Sequence, residues 1–162
     1  MERIGDPNDR TKINPAIGAY RLVSLADIQL RWDADLGSLD PENSRDRGMT
    51  ELVFNTFAML DPQTYSHSPP AFRSPSGALV DLFRIFNGEP LYDPGLLRMP
   101  TLLVRGAEDT TSTESDTRRL LSAIASAKKE YRAISPGSHF LCIEKNRNEL
   151  YKALRDFLDA GE

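Results

Sequence analysis

Two strand-length stretches late in the chain, Thr101 to Val104 and Glu130 to Ile134, each run into a turn-forming loop, and one amphipathic helix lies between them. This order constrains the fold more than any other feature. A strand, a crossover helix and a second strand make a parallel pair, and such crossovers are right-handed by strong precedent. The first stretch is apolar throughout, which suits a strand buried on both faces. The second alternates. The helix between them, Ser112 to Ala127, points Leu120, Leu121 and Ile124 inward, with Ser112 as its natural cap. Asn146 to Leu158 then closes the chain as a helix carrying Leu150, Leu154, Phe157 and Leu158. The fold class is therefore α/β, with a β-α-β-α unit of parallel strands at the carboxyl end. Two parallel strands leave faces and edges that need neighbours, so the amino-terminal side of this unit is expected to be incomplete.

Upstream the chain reads differently. Residues 1–23 are polar and irregular, with Pro7 and Pro15. Ser24 is a good helix cap with Asp27 three residues on, and Leu25, Ile28, Trp32 and Leu36 follow at helical spacing. After a hydrophilic break at 38–47, a helix fits 49–60, with Leu52, Val53, Phe57 and Leu60 on one stripe. Residues 61–74, with Pro62, Pro69 and Pro70, read as loop. A third helix fits 76–87, opened by Ser74-Pro75 and closed by Gly88, with Leu79, Leu82, Phe83 and Phe86 on its apolar face. Leu91 to Met99 holds a short turn started by Asp93-Pro94. The expected division is residues 1–90 as a lead-in and helical segment, and 91–162 as the strand-bearing part.

Composition narrows the function classes. In 162 residues, 27% are charged and 40% hydrophobic, as expected of a globular domain. The net charge of -4 gives no electrostatic reason to expect nucleic acid or an anionic membrane. A single cysteine excludes an intrachain disulfide and a multi-cysteine zinc site. No apolar run approaches the roughly 20 residues that span a bilayer. The amino terminus lacks the basic and apolar regions of a signal peptide, so the cytoplasm is the default compartment.

Asp109 and His139 carry the chemistry. Asp109 follows the first strand, after Gly106-Ala-Glu, where a carboxylate can accept a hydrogen bond from an imidazole and set its tautomer. It can equally be an ordinary acid in a polar loop. Its neighbour Glu108 is the rival acid, with its side chain expected to point elsewhere. His139 lies on the turn Ser135-Pro-Gly-Ser-His-Phe140 after the second strand, either as a surface histidine or projecting into a cleft. The two occupy equivalent ends of successive strands, where parallel sheets gather their sites. His67, in Ser66-His-Ser-Pro-Pro, reads as a solvated loop residue, and Cys142, between Leu141 and Ile143, as a packed structural thiol. Lys145 and Arg147 read as surface or capping residues.

Pro100-Thr-Leu-Leu-Val-Arg-Gly106 with Asp109, followed by Ser135-Pro-Gly-Ser-His-Phe-Leu-Cys-Ile-Glu-Lys-Asn-Arg147, resembles the carboxyl end of an alpha/beta hydrolase. The resemblance covers residues 91–158 and, more loosely, 20–90, whose helices and proline-rich loops are similar to the helical lid placed before the last two strands. It implies a partial alpha/beta-hydrolase fold, with Asp109 as acid and His139 as base of a nucleophile–histidine–acid triad. It also implies hydrolysis of an ester or similar bond in a small molecule, with no metal and no organic cofactor.

The family's Gly-x-Ser-x-Gly elbow has no counterpart in the chain. Ser74-Pro-Ser-Gly77 and Ser135-Pro-Gly-Ser138 lack its spacing, and Ser138 adjoins His139 too closely to be the hydroxyl that the imidazole deprotonates. The chain is therefore expected to be a fragment, inactive by itself. Trp32, Phe57, Phe83 and Phe86 on the lid-like helices either line a hydrophobic substrate pocket or belong to core. The alternative function is a non-catalytic interaction module, in which self-association or a partner chain covers the exposed sheet.

Overall fold

A computed structural model describes residues 4–160. In chain order the elements are β1 (Tyr20–Ser24), α1 (Leu25–Leu36), α2 (Pro41–Ser44), α3 (Met49–Ala58), β2 (Ala71–Pro75), α4 (Gly77–Phe86), β3 (Thr101–Gly106), α5 (Glu114–Ala123), β4 (Lys129–Ile134) and α6 (Arg147–Asp159). The class is mixed α/β, with one antiparallel and one parallel sheet of two strands each. The chain divides into two compact units. One takes residues up to Ile28 together with Val53–Asp93, and the other takes Gln29–Leu52 and the residues from Pro94 on. Residues 29–52 thus belong to the same unit as the strand-bearing residues from Pro94 on.

The first unit contains a sheet where the sequence suggested loop. β1 and β2 pair antiparallel, with Leu22 opposite Arg73 and Ser24 opposite Ala71. Neither strand has a clear apolar alternation; the partner strand, about fifty residues away, supplies what local pattern lacks. Phe54, Ala58 and Phe72 form its buried core, with Val23, Leu25 and Ile28 packed against it. The expected cap at Ser24 is present. Asp27 N–H donates to Ser24 Oγ at 3.2 Å, and Asp27 Oδ2 accepts from Ser24 N–H at 2.9 Å, a reciprocal capping box. α4 ends as expected at Gly88, whose φ of 85° suits glycine best, and Glu89 N–H donates to the Arg84 carbonyl. His67 departs from its reading as a solvated residue: it is half-buried, and its Nε2 is shielded without a hydrogen-bond partner among the described residues.

Asp61 clamps this sheet. It accepts hydrogen bonds from Arg73 N–H at 2.7 Å, from Arg73 Nη2 at 2.6 Å and from Gln63 N–H at 3.1 Å. The Arg73 guanidinium first, and its backbone amide second, hold the Asp61 carboxyl far below its ordinary value of 3.8. A lowered folded-state value means that this stabilisation is complete above about pH 4 and is lost as pH falls toward the folded value. Thermal melts between pH 5 and pH 2 are therefore expected to fall less steeply in Asp61→Asn than in the native chain. Parallel curves for the two proteins would contradict this.

In the second unit β3 and β4 run parallel, from Thr101 opposite Lys129 to Gly106 opposite Ile134. Ile134, Leu141 and Ala153 form the core, with Val104 and Leu150 against it. Thr101 to Val104 are half-buried rather than buried on both faces, because a two-stranded sheet has too few neighbours to cover them. α5 is shorter than the pattern 112–127 suggested. Ser112 is held in the preceding loop, its N–H donating to Asp109 and its carbonyl accepting from Arg105. Thr113 takes over the cap, accepting from Asp116 N–H at 3.2 Å. At the other end Ile124 leaves helical geometry with ψ of 129° and is itself buried. Among the described residues no helix is long and apolar enough to cross a membrane.

Candidate active site

The ends of β3 and β4 bring two loops into contact, and the closest approach is backbone on backbone. A Cβ placed on Gly106 would lie 2.2 Å from the Gly137 carbonyl oxygen and 2.4 Å from that of Ser138. Only glycine fits there. Ala107 N–H donates to the Ile134 carbonyl at 2.8 Å, and Glu108 N–H to the Gly137 carbonyl at 3.0 Å. Glu108 also reaches across with its side chain. It accepts from Ser135 Oγ at 2.6 Å and from Gly137 N–H at 2.8 Å. The rival acid is thus occupied in fastening the histidine loop, and its carboxylate is not on the imidazole.

Asp109 faces the imidazole instead. Its side chain is 5% exposed. Oδ1 accepts from the Thr111 and Ser112 amides, both at 2.8 Å, and Oδ2 faces His139 Nδ1 at 3.0 Å. An ionised carboxylate only accepts, so Nδ1 is the protonated nitrogen of this contact. Nε2 is then left as the acceptor of the neutral ring. The His139 side chain is 38% exposed, and among the described residues no hydrogen bond engages Nε2. The arrangement can take a proton on Nε2 while Asp109 steadies the resulting imidazolium.

Several supporting residues were not legible in the sequence. Arg105, buried at the end of β3, donates from Nη2 to the Asp109 carbonyl at 2.6 Å and from Nε to the Ser112 carbonyl at 2.9 Å. An arginine closing an otherwise apolar strand is the one local sign of this. From α1, Asp35 accepts from Thr111 Oγ1 at 3.0 Å, and Arg31 donates to the same hydroxyl at 2.8 Å. Trp32, one turn before Asp35, donates from Nε1 to the Glu144 carboxylate at 3.1 Å and packs its ring 5.2 Å from Phe140. One stretch of α1 therefore reaches both the acid loop and the histidine loop.

The other singled-out residues fall in different places. Trp32 has no exposed surface, so of its two readings the core one describes its placement. Phe83 is also buried, whereas Phe57 and Phe86 are about half-exposed, with Phe57 stacked on Phe72. Phe57, Phe83 and Phe86 lie in the first unit and Trp32 in the second. Ser138 is buried, and its Oγ bonds Glu144. Cys142 is exposed rather than packed. The 3-10 turn Leu141–Ile143 buries Leu141 and rotates its successor outward. Arg147 donates to Asp46 and to the Glu144 carbonyl, and Lys145 to the Glu42 carbonyl, as surface and capping contacts. Among the described residues no cluster of three or more His, Cys, Asp or Glu side chains is placed to hold a metal ion. No protein-family model matches the chain, and no curated protein matches it.

Proposed function

We propose that Asp109 and His139 are the acid and base of a hydrolytic nucleophile–histidine–acid triad acting on an ester or similar bond. The carrying observation is the 3.0 Å contact between a buried carboxylate and Nδ1 of an imidazole whose Nε2 has no hydrogen bond among the described residues. Resemblance of the two loops to the carboxyl end of an alpha/beta hydrolase supports the same assignment and suggests a partial form of that fold. In this reading the nucleophile comes from polypeptide outside the 162 residues. His139 takes its proton during attack on the carbonyl and returns it to the leaving group, and Asp109 orients the ring and stabilises its charge.

The test is the tautomer of His139, read from imidazole nitrogen shifts by NMR at a pH where the ring is neutral. The native chain is expected to hold the Nδ1–H form. In Asp109→Asn, the loop amides of Thr111 and Ser112 keep Oδ1 as acceptor, so the new NH2 faces Nδ1 and the proton moves to Nε2. In a completed triad such an inversion costs about 10⁴-fold in turnover. An unchanged tautomer in the variant would sink the acid–base assignment. A fluorophosphonate probe is expected to leave the isolated chain unlabelled; stoichiometric labelling would place the nucleophile within it.

A further inference from the structure

Glu144 is 2% exposed, and no Lys, Arg or His side chain among the described residues pairs with its carboxylate. Burying a carboxylate without a counter-ion is costly unless hydrogen bonds replace its hydration. Among the described residues three neutral donors do so. Trp32 Nε1–H and the Ser138 hydroxyl donate to Oε1, and the Ser138 amide donates to Oε2 at 2.9 Å. Two of the three come from the residue that immediately precedes His139.

The segment between Ser138 and Glu144 is closed on itself. Phe140 N–H donates to Ser138 Oγ, Leu141 N–H to the Ser138 carbonyl, and Glu144 N–H to the Leu141 carbonyl. The carboxylate of Glu144 thus returns to the start of its own loop and holds residue 138 by backbone and side chain together. Through Trp32 it ties that point to α1, 112 positions away in sequence. Among the described residues His139 itself receives one polar side-chain contact, from Asp109. The direction in which its half-exposed ring leaves the backbone therefore depends on how firmly Ser138 is held.

We infer that Glu144 is a positioning residue for His139, acting through Ser138 to keep Nδ1 on Asp109. This inference rests on the acid–base reading of Asp109 and His139. Glutamine cannot replace Glu144 in the role. The indole and the Ser138 amide are donors only and address different oxygens, whereas an amide side chain offers a single oxygen. Whichever way it is turned, its NH2 meets an N–H.

The experiment is the same tautomer measurement on the full chain, made well below the melting temperature so that only folded molecules report. A purely structural role would lower the melting temperature and leave the tautomer of the folded population unchanged. Glu144→Gln is expected to move the ratio of Nδ1–H to Nε2–H forms by about tenfold toward Nε2–H, the equivalent of one lost hydrogen bond. A native ratio in folded Glu144→Gln overturns the inference. Should that variant fail to fold, Ser138→Ala and Trp32→Phe each remove one of the three bonds and are expected to shift the ratio the same way by less. A native ratio in both overturns it equally. The Asp109→Asn protein separates the two levels. If it inverts the tautomer while the Glu144 series does not, only the positioning role falls; if it changes nothing, the acid–base reading falls and this inference with it.

Discussion

Gly106→Ala is expected to destabilise the second unit by about 3 kcal/mol and to separate His139 from Asp109. The added methyl would sit 2.2 Å from the Gly137 oxygen and 2.4 Å from both the Gly137 carbon and the Ser138 oxygen. All three are backbone atoms, so no side-chain rotation relieves the overlap and the histidine loop has to move as a whole. Movement breaks the bond from Glu108 N–H to the Gly137 carbonyl and loosens the Glu108 carboxylate from Ser135 and Gly137. For a chain of this size the melting temperature should fall by about 10 °C. Trp32, the sole tryptophan, lies in the second unit, so its fluorescence follows the relevant transition. A melting temperature within about 2 °C of the native value, with the native His139 tautomer, would show that the two loops are less tightly apposed than the geometry requires.

Trp32→Ala is expected to cost about 3–5 kcal/mol, the usual loss when a fully buried tryptophan is truncated. Three contacts disappear together. The ring no longer packs on Phe140, the Arg45 guanidinium loses the indole it covers at 5.4 Å, and Glu144 loses a donor. Trp32→Phe separates packing from polarity. It keeps a buried aromatic ring but removes the N–H together with the rest of the five-membered ring, leaving Glu144 with its two Ser138 donors, so its cost should be nearer about 2 kcal/mol. Urea denaturation followed by circular dichroism measures both. Equal losses for the two variants would mean that the hydrogen bond outweighs the packing. Small losses for both would remove Trp32 from the core.

The supports of the site differ in how far they reach along the chain, and that decides what could be read in advance. Asp109 and His139 were legible because each stands just past a strand whose apolar pattern is written in adjacent residues. Ser112 misled because its hydroxyl and position fit a helix cap, while its backbone was already committed to Asp109 and Arg105. Cys142 misled because apolar neighbours suggest burial, yet a 3-10 turn sends consecutive side chains in different directions. β2 is illegible in the sequence for a similar reason. Ala71 to Pro75 has no strand signature of its own and is a strand through pairing with residues 20–24.

By itself the sequence determined the order of strands and helices after Pro100, the caps at Ser24 and Gly88, and the two loops that carry an acid and a histidine. Those are consequences of periodicity and turn chemistry, which act within about ten residues. The tertiary structure alone decided that α1 contributes Arg31, Trp32 and Asp35 to these loops, and that Glu108 fastens the histidine loop. It alone decided that Glu144 is a buried carboxylate gripping Ser138. Hydrogen bonds spanning 76 to 112 positions depend on how separate elements come to lie against one another, and no local pattern of residues encodes that.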